Sequence, residues 1–417
     1  MSDFLQIIQK PAIIIAIVAF IGLIAMRSKP SKVIVGTTLS FVGFTMIKMG
    51  SALIAGTLTG FSTLFNSAFH LQGIVPSNEA MMAMTMKSIG STAALVLVVG
   101  LLVNLLTARF TPFKSVYLSL HLALFTAFAI AAVSKMVGLG SVFTIAAGGI
   151  LLGLYMSISP TILGKFTKDV TGSDEFTIAH SGSLSYILGA LLARKFGNKE
   201  HDAEKIKMND SILFLKDPNV ATTLTMLILF LITSLLAHGD AAAVKVLAGE
   251  NPILYSMEQA ATFAGGLFVV KAGIKMFIDE IVPAFKGFAK IVAPGAIPGV
   301  DVLVLFDKAP NTALIGFLTS FATGLVALFL LPILGLPVIV PGLMACFITG
   351  GASAILGNAE GGIRGAVIAA VTDGVLLAFM PALAMALFAA LGIHGTTFAD
   401  PDMISVAAIF WVLFRWF

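Results

Sequence analysis

The sequence predicts an all-α polytopic membrane protein of about 11 transmembrane helices, with an inverted structural repeat and re-entrant hairpins. Three observations predict it. The 417 residues are 58% hydrophobic and only 11% charged, with a mean hydropathy of +1.02, whereas a soluble domain carries about a quarter charged residues. Apolar runs of about 18 residues or more, each enough for a hydrocarbon core of roughly 30 Å, recur along the chain. Third, Ile47-Lys48-Met49…Gly60-Phe61 returns without a gap as Ile274-Lys275-Met276…Gly287-Phe288. A transmembrane β-barrel requires alternating segments of about ten residues, and these are absent.

The runs give the helices in order. Pro11–Met26 is apolar and lacks a small-residue cleavage site, so it is read as a first helix and not a signal peptide. Val33–Gly50 follows the basic loop at Arg27, Lys29 and Lys32. Ala93–Thr107, Val116–Val133 and Ser141–Leu163 complete the first half. Val220–Leu236, Leu254–Met276, Thr312–Leu331, Leu336–Ile355 and Gly365–Ala390 mirror them, and Ile404–Trp416 closes the chain. The halves are expected at 1–210, with its cytoplasmic loop, and 211–417.

Lys and Arg set the orientation. Arg109, Lys114, Lys165, Lys168, the Arg194–Lys216 stretch, Lys286, Lys290 and Arg415 fall on one side if the N-terminus is external and the segments at Pro76, His180 and Pro298 re-enter without crossing. The positive-inside rule makes that side cytoplasmic, with Lys135 and Lys245 dissenting. An odd number of crossings then separates the halves, so they are inverted, as in alternating-access carriers. The net charge of +4 is no nucleic-acid signal, because its bases sit in these short loops. Cys346 lies in an apolar stretch and reads as packing.

Polar groups inside the membrane are functional candidates. A second echo follows the repeat: Gly73-Ile-Val-Pro76-Ser-Asn-Glu79 against Gly295-Ala-Ile-Pro298-Gly-Val-Asp301. Each Pro-broken segment frees backbone groups and carries one carboxylate. Asp301 suits substrate hydroxyls, or caps a helix; Ser77, Asn78 and Glu79 carry the same two readings. His121 and His180 sit in polar contexts, although a lone membrane His is often a helix–helix contact. Glu360 and Arg364 are spaced as a helical ion pair, with a Gly pair between them that allows a close backbone approach. No Walker motif, metal-ligand spacing or catalytic triad is present, so no cofactor or metal is expected.

Gly172-Ser-Asp-Glu-Phe-Thr-Ile-Ala-His180, Ala293-Pro-Gly-Ala-Ile-Pro-Gly-Val-Asp301, Ala309-Pro-Asn-Thr-Ala-Leu-Ile-Gly-Phe317 and Asn358…Gly361-Gly362…Arg364 resemble the ascorbate-type enzyme IIC permeases of the bacterial phosphoenolpyruvate-dependent sugar phosphotransferase system. The resemblance runs end to end. It implies an elevator-type homodimer in the bacterial cell membrane, with helices 1, 2, 6 and 7 dimerising and the rest forming a mobile core. It implies cytosolic IIB and IIA partners, IIB carrying the phosphocysteine, and places no catalytic residue in this chain. His121, His180 and Asp301 match substrate-contacting positions, and Ser77 and Asn78 match first-hairpin contacts. Ser181 and Phe125 stand where ascorbate permeases have Gln, Ser77-Asn78 replaces Thr-Tyr, and Glu79 adds a negative charge. The expected substrate-binding set is therefore His180, Asp301, His121, Ser77, Asn78, Glu79 and Ser181. The stretch Ala179–Tyr186 leans toward the related galactitol-type branch, so the substrate is L-ascorbate, a related sugar acid or a polyol. The rival readings are an ion-coupled carrier with Glu79 and Asp301 as its relay, an intramembrane enzyme using that carboxylate pair, and a non-transporting regulatory homologue.

Overall fold

The structure is a computed structural model that describes residues 11–70, 73–206, 217–306, 308–389 and 396–416. The expected boundary between the halves at 210–211, with Lys207 and Lys216, lies outside the described residues. The protein is mainly helical. Helices α1 (Pro11–Ala25) and α2 (Pro30–Phe69) lead to strand β1 (Gly73–Ile74) and helix α3 (Asn78–Phe110). Then come β2 (Ser115–Tyr117), α4 (Leu120–Val137), α5 (Ser141–Thr171), β3 (Thr177–Ile178) and α6 (Ser183–Phe196). The second half holds α7 (Pro218–Leu236), α8 (Ala241–Leu247), α9 (Pro252–Val292), β4 (Ile297–Val300), α10 (Pro310–Ile333), β5 (Val338–Ile339), α11 (Gly351–Ala389) and α12 (Pro401–Phe414).

Among the described residues, seven helices are long and apolar enough to cross a membrane, and two shorter apolar helices accompany them. Part of the difference from eleven is a matter of counting. The expected spans 336–355 and 365–390 are joined in one apolar stretch, Cys346–Met385. That stretch is broken at Gly361 and Gly362, whose dihedrals are not helical. The expected span from Val116 also starts later, because Ser115–Tyr117 is extended and α4 begins only at Leu120.

The two copies of the sequence repeat fall on α2 and α9. These helices cross with backbones touching: a Cβ on Gly50 would stand 2.5 Å from the Gly266 carbonyl oxygen. Only a residue without a side chain allows that approach. Both helices also contact α1 and α7, so these four form one layer.

The short strands hold the polar, helix-broken segments together. β1 pairs in parallel with β5, Gly73 opposite Val338 and Ile74 opposite Ile339. β4 lies between β2 and β3, with Val116 opposite Pro298 and Thr177 opposite Gly299. Pro298 is tolerated in this central strand because its neighbours make the bonds: Ile297 N–H donates to the Lys114 carbonyl at 2.9 Å, and Gly299 C=O accepts from Leu118 at 2.8 Å.

Candidate functional site: a polar cavity at the strand ends

The strands deliver their C-terminal residues to one cavity of about 420 Å³. Its lining includes Ser77, Asn78, Glu79, His121, His180 and Asp301 among largely apolar neighbours. Six of the seven residues singled out from sequence therefore meet in one place. Ser181 is not in the lining; its hydroxyl donates to the carboxylate of Asp400, which is.

Ser77 ends the β1 segment in extended conformation and caps α3, its Oγ accepting the Ala80 amide hydrogen at 3.2 Å. The same hydroxyl donates to Glu79 Oε2 at 3.1 Å, which sets the Glu79 carboxylate in the first turn of α3, where helix dipole and acid attract. Asn78 Oδ1 accepts from the Ala399 amide at 2.9 Å, tying α3 to the approach to α12. These side chains cap and tether, and they still border the cavity.

Asp301 divides its two oxygens. Oδ1 accepts the Leu303 amide hydrogen at 3.1 Å and caps the short helix Val302–Leu305. Oδ2 lies 3.5 Å from His121 Nε2, with the two side chains 30% and 26% exposed. The capping and binding roles read from the sequence are therefore compatible, because each uses a different oxygen.

His180 is buried, and its Nδ1 accepts the Gly182 amide hydrogen at 3.1 Å, with the Tyr186 hydroxyl 2.9 Å from the same nitrogen. A backbone N–H only donates, so Nδ1 is unprotonated and the neutral ring carries its hydrogen on Nε2. His180 thus has a ring N–H at Nε2 available to donate, on a residue that lines the cavity. A carboxylate that accepts, an imidazole that donates and a hydroxyl that does both match the needs of a polyhydroxylated molecule.

Two acids that the sequence reading passed over complete the site. Asp400 precedes Pro401, the first residue of α12, and lines the cavity. Asp402, two residues on, caps a different helix: its carboxylate accepts from the Ser183 amide at 2.9 Å and the Leu184 amide at 2.8 Å, both at the start of α6. Tyr155 adds a hydroxyl donor to the same carboxylate at 2.8 Å. Asp402 returns a bond through its own N–H to the Ser181 carbonyl at 3.0 Å. An acid on either side of a Pro, at the foot of an apolar run, was the available sequence signal for a capped helix start.

Away from the cavity, Glu360 is almost fully buried and forms a bidentate pair with Arg194, at 2.6 and 2.8 Å. Its partner is not Arg364, because the broken helix at Gly361–Gly362 removes the geometry that an i,i+4 pair requires. The glycines do bring the backbone close: Asn198 N–H donates to the Gly361 carbonyl at 2.8 Å, and Ile363 N–H to the His201 carbonyl at 2.6 Å. Asn358 holds the same loop through Asp202 at 2.8 Å and the Ala203 amide at 2.9 Å. Cys346 is buried and free, as packing demands.

Helices of membrane-spanning length, with broken segments that bring carboxylates, imidazoles and a hydroxyl to one largely apolar cavity, define a multi-pass membrane protein with an internal site. The family model described as "PTS system sugar-specific permease component" matches residues 6–402, and the chain belongs to that family. It is also 24% identical over 416 residues to the Ascorbate-specific PTS system EIIC component of Mycoplasma pneumoniae, a match that covers 87% of this chain and 63% of that protein.

Proposed function

We propose that this chain is the enzyme IIC permease through which a small polyhydroxylated compound crosses the cell membrane and is phosphorylated by a cytosolic IIB partner, itself charged by IIA. The observation that carries the reading is the His121–Asp301 pair, 3.5 Å apart, in one cavity with His180 and the Ser77–Glu79 turn. Asp301 and His180 bind substrate hydroxyls; His121, Ser77, Asn78 and Glu79 complete the contacts, and Ser181 acts through Asp400. The relative's ascorbate specificity puts L-ascorbate or a related sugar acid among the substrates. A polyol of the galactitol or pentitol kind is the alternative, and the lining's charge favours it: Lys275 is paired with Asp279, which leaves the carboxylates of Glu79, Asp301 and Asp400 to disfavour an anion.

The same reading takes the halves 1–210 and 211–417 as inverted repeats. In support, the order helix, long helix, strand, helix, strand recurs after Pro11 and after Pro218, apart from two short insertions, and β1·β5 and β2·β4 pair one half with the other. On this view α12 is the counterpart of α6. The layer α1, α2, α7 and α9 is the fixed dimerising domain of a homodimer, and the remaining helices slide against it as an elevator. The N-terminus is external and the C-terminus cytoplasmic.

The test is thermal stability of the purified protein against ascorbate, galactitol and pentitols. A ligand that binds the folded form raises the midpoint with concentration, and His180→Ala and Asp301→Ala abolish the rise. Vesicle uptake that runs on an ion gradient, without phosphoenolpyruvate and the soluble partners, would sink the phosphotransferase assignment.

A further inference from the structure

Behind the cavity lies a polar cluster that the substrate reading does not use. Asp373, on α11 beyond the Gly361–Gly362 break, is fully buried. Its Oδ2 accepts from the Ser320 hydroxyl of α10 at 2.9 Å and from the Thr349 hydroxyl at 3.1 Å. Its Oδ1 has no hydrogen-bond partner. Ser185 of α6 faces the same carboxylate, yet its Oγ, also fully buried, makes no hydrogen bond of acceptable geometry. Among the described residues, no Lys, Arg or His forms an ion pair with Asp373. The other ionisable groups around it are Asp400, Tyr186 and Cys346, none of them cationic.

A buried carboxylate with no cationic neighbour and a second acid nearby is costly, and the unpartnered Asp373 Oδ1 and Ser185 Oγ add to that cost. A hard cation coordinated by oxygen removes both penalties at once, since carboxylate and hydroxyl oxygens are the ligands such ions take. The segment that supplies Thr349, Cys346–Gly350, is a π-helix, a local widening that recurs at functional sites.

We propose that Asp373, Ser185, Ser320 and Thr349 form a binding site for a sodium-sized monovalent cation. The site joins four elements of the core: α6, α10, the π-helix Cys346–Gly350 and α11. It touches the substrate cavity through Thr349, which lines that cavity while donating to Asp373. Cation occupancy therefore fixes the wall against which substrate binds. The proposal concerns the cation alone and stands whether or not the phosphotransferase reading holds.

The experiment is thermal unfolding of the purified full chain in detergent, titrating sodium chloride against choline chloride at constant ionic strength, at pH 6 and pH 8. The wild type is expected to gain a saturable, sodium-specific rise of about 2–4 °C. Asp373→Asn removes the rise, and Ser185→Ala, which keeps the carboxylate and its Ser320 and Thr349 donors, shifts half-saturation upward at least about fivefold. If Asp373→Asn does not fold, the Ser185→Ala shift decides alone. Equal midpoints in sodium and choline overturn the site, as does a sodium rise that survives in both variants. A midpoint that follows pH but not sodium also overturns it and leaves Asp373 a structural, protonated acid.

Discussion

The carboxylate of Asp402, in the first turn of α12, accepts the amide hydrogen of Leu184, in the first turn of α6, at 2.8 Å. One helix thus supplies the N-cap of another that is far away in sequence. Because Ser183 N–H and the Tyr155 hydroxyl converge on the same carboxylate, this buried acid fixes the turn that carries His180. Asp402→Asn exchanges one acceptor oxygen for a donor facing other donors. The expected cost is about 1–3 kcal/mol, read as a lower unfolding midpoint together with a weaker substrate-induced shift. An unchanged midpoint would show that the cap is dispensable.

Asp301 separates its two roles by oxygen, and substitution can do the same. Asp301→Asn keeps an acceptor for the Leu303 amide but removes the charge facing His121. Substrate affinity is expected to fall about tenfold or more, which corresponds to about 1.4 kcal/mol, while the unliganded midpoint stays nearly constant. Isothermal titration and thermal unfolding, measured on the same preparation, distinguish this from a folding defect.

Glu360 is buried against an Arg194 that is itself 39% exposed. Removing the guanidinium leaves the buried carboxylate only the longer, exposed contact to Lys199 at 3.7 Å, whereas the partly hydrated Arg tolerates loss of its partner better. Arg194→Ala is therefore expected to cost more than Glu360→Gln, about 2–3 kcal/mol against about 1 kcal/mol. Equal losses in thermal unfolding would contradict the asymmetry.

Gly362 sits at φ 60 and ψ −157, a region essentially closed to other residues. A Cβ there would also fall 2.2 Å from the Asn198 carbonyl oxygen and 2.4 Å from that of His201. Gly362→Ala is expected to release the loop that follows α6, so that trypsin cuts at Lys199 and Lys205 several-fold faster than in the wild type. A cleavage rate equal to wild type would mean that Asn358 alone holds the loop.

Asp202 holds that loop from the other side. The Asn358 amide and then the Glu204 backbone N–H hold its pKa below the ordinary carboxylate value of 3.8. A depressed folded-state value stabilises above the unfolded value and is lost as pH falls through the folded one. The stability gap between wild type and Asp202→Asn should therefore hold from pH 7 to about 5 and close toward pH 3. A gap that grows in acid would reverse the sign and reject the assignment.

The site was legible wherever the chain itself had to be special. Pro76 and Pro298 break helices by removing a donor, and His121, His180 and Asp301 stand out in a chain that is only 11% charged. Asp400 and Asp402 were missed because they read as the polar rim of the last apolar run; the sequence does not say that Asp400 takes the Ser181 hydroxyl or that Asp402 caps α6. Glu360 was matched by spacing to Arg364, and the two glycines between them break the helix that the spacing presumes. Its partner Arg194 lies 166 residues away.

The sequence by itself determined the solvent in which this protein folds and the places where its helices stop. Both follow from local chemistry: apolar runs long enough for a bilayer, and Pro, Gly and capping residues that act within one turn. Only the tertiary structure decided which ends meet. The pairing of β4 with β2 and β3, the capping of α6 by Asp402 and the burial of Asp373 among three hydroxyls join residues far apart in the chain. Such contacts arise because unpaired polar groups inside a membrane must find one another, and their positions along the sequence do not specify the partner.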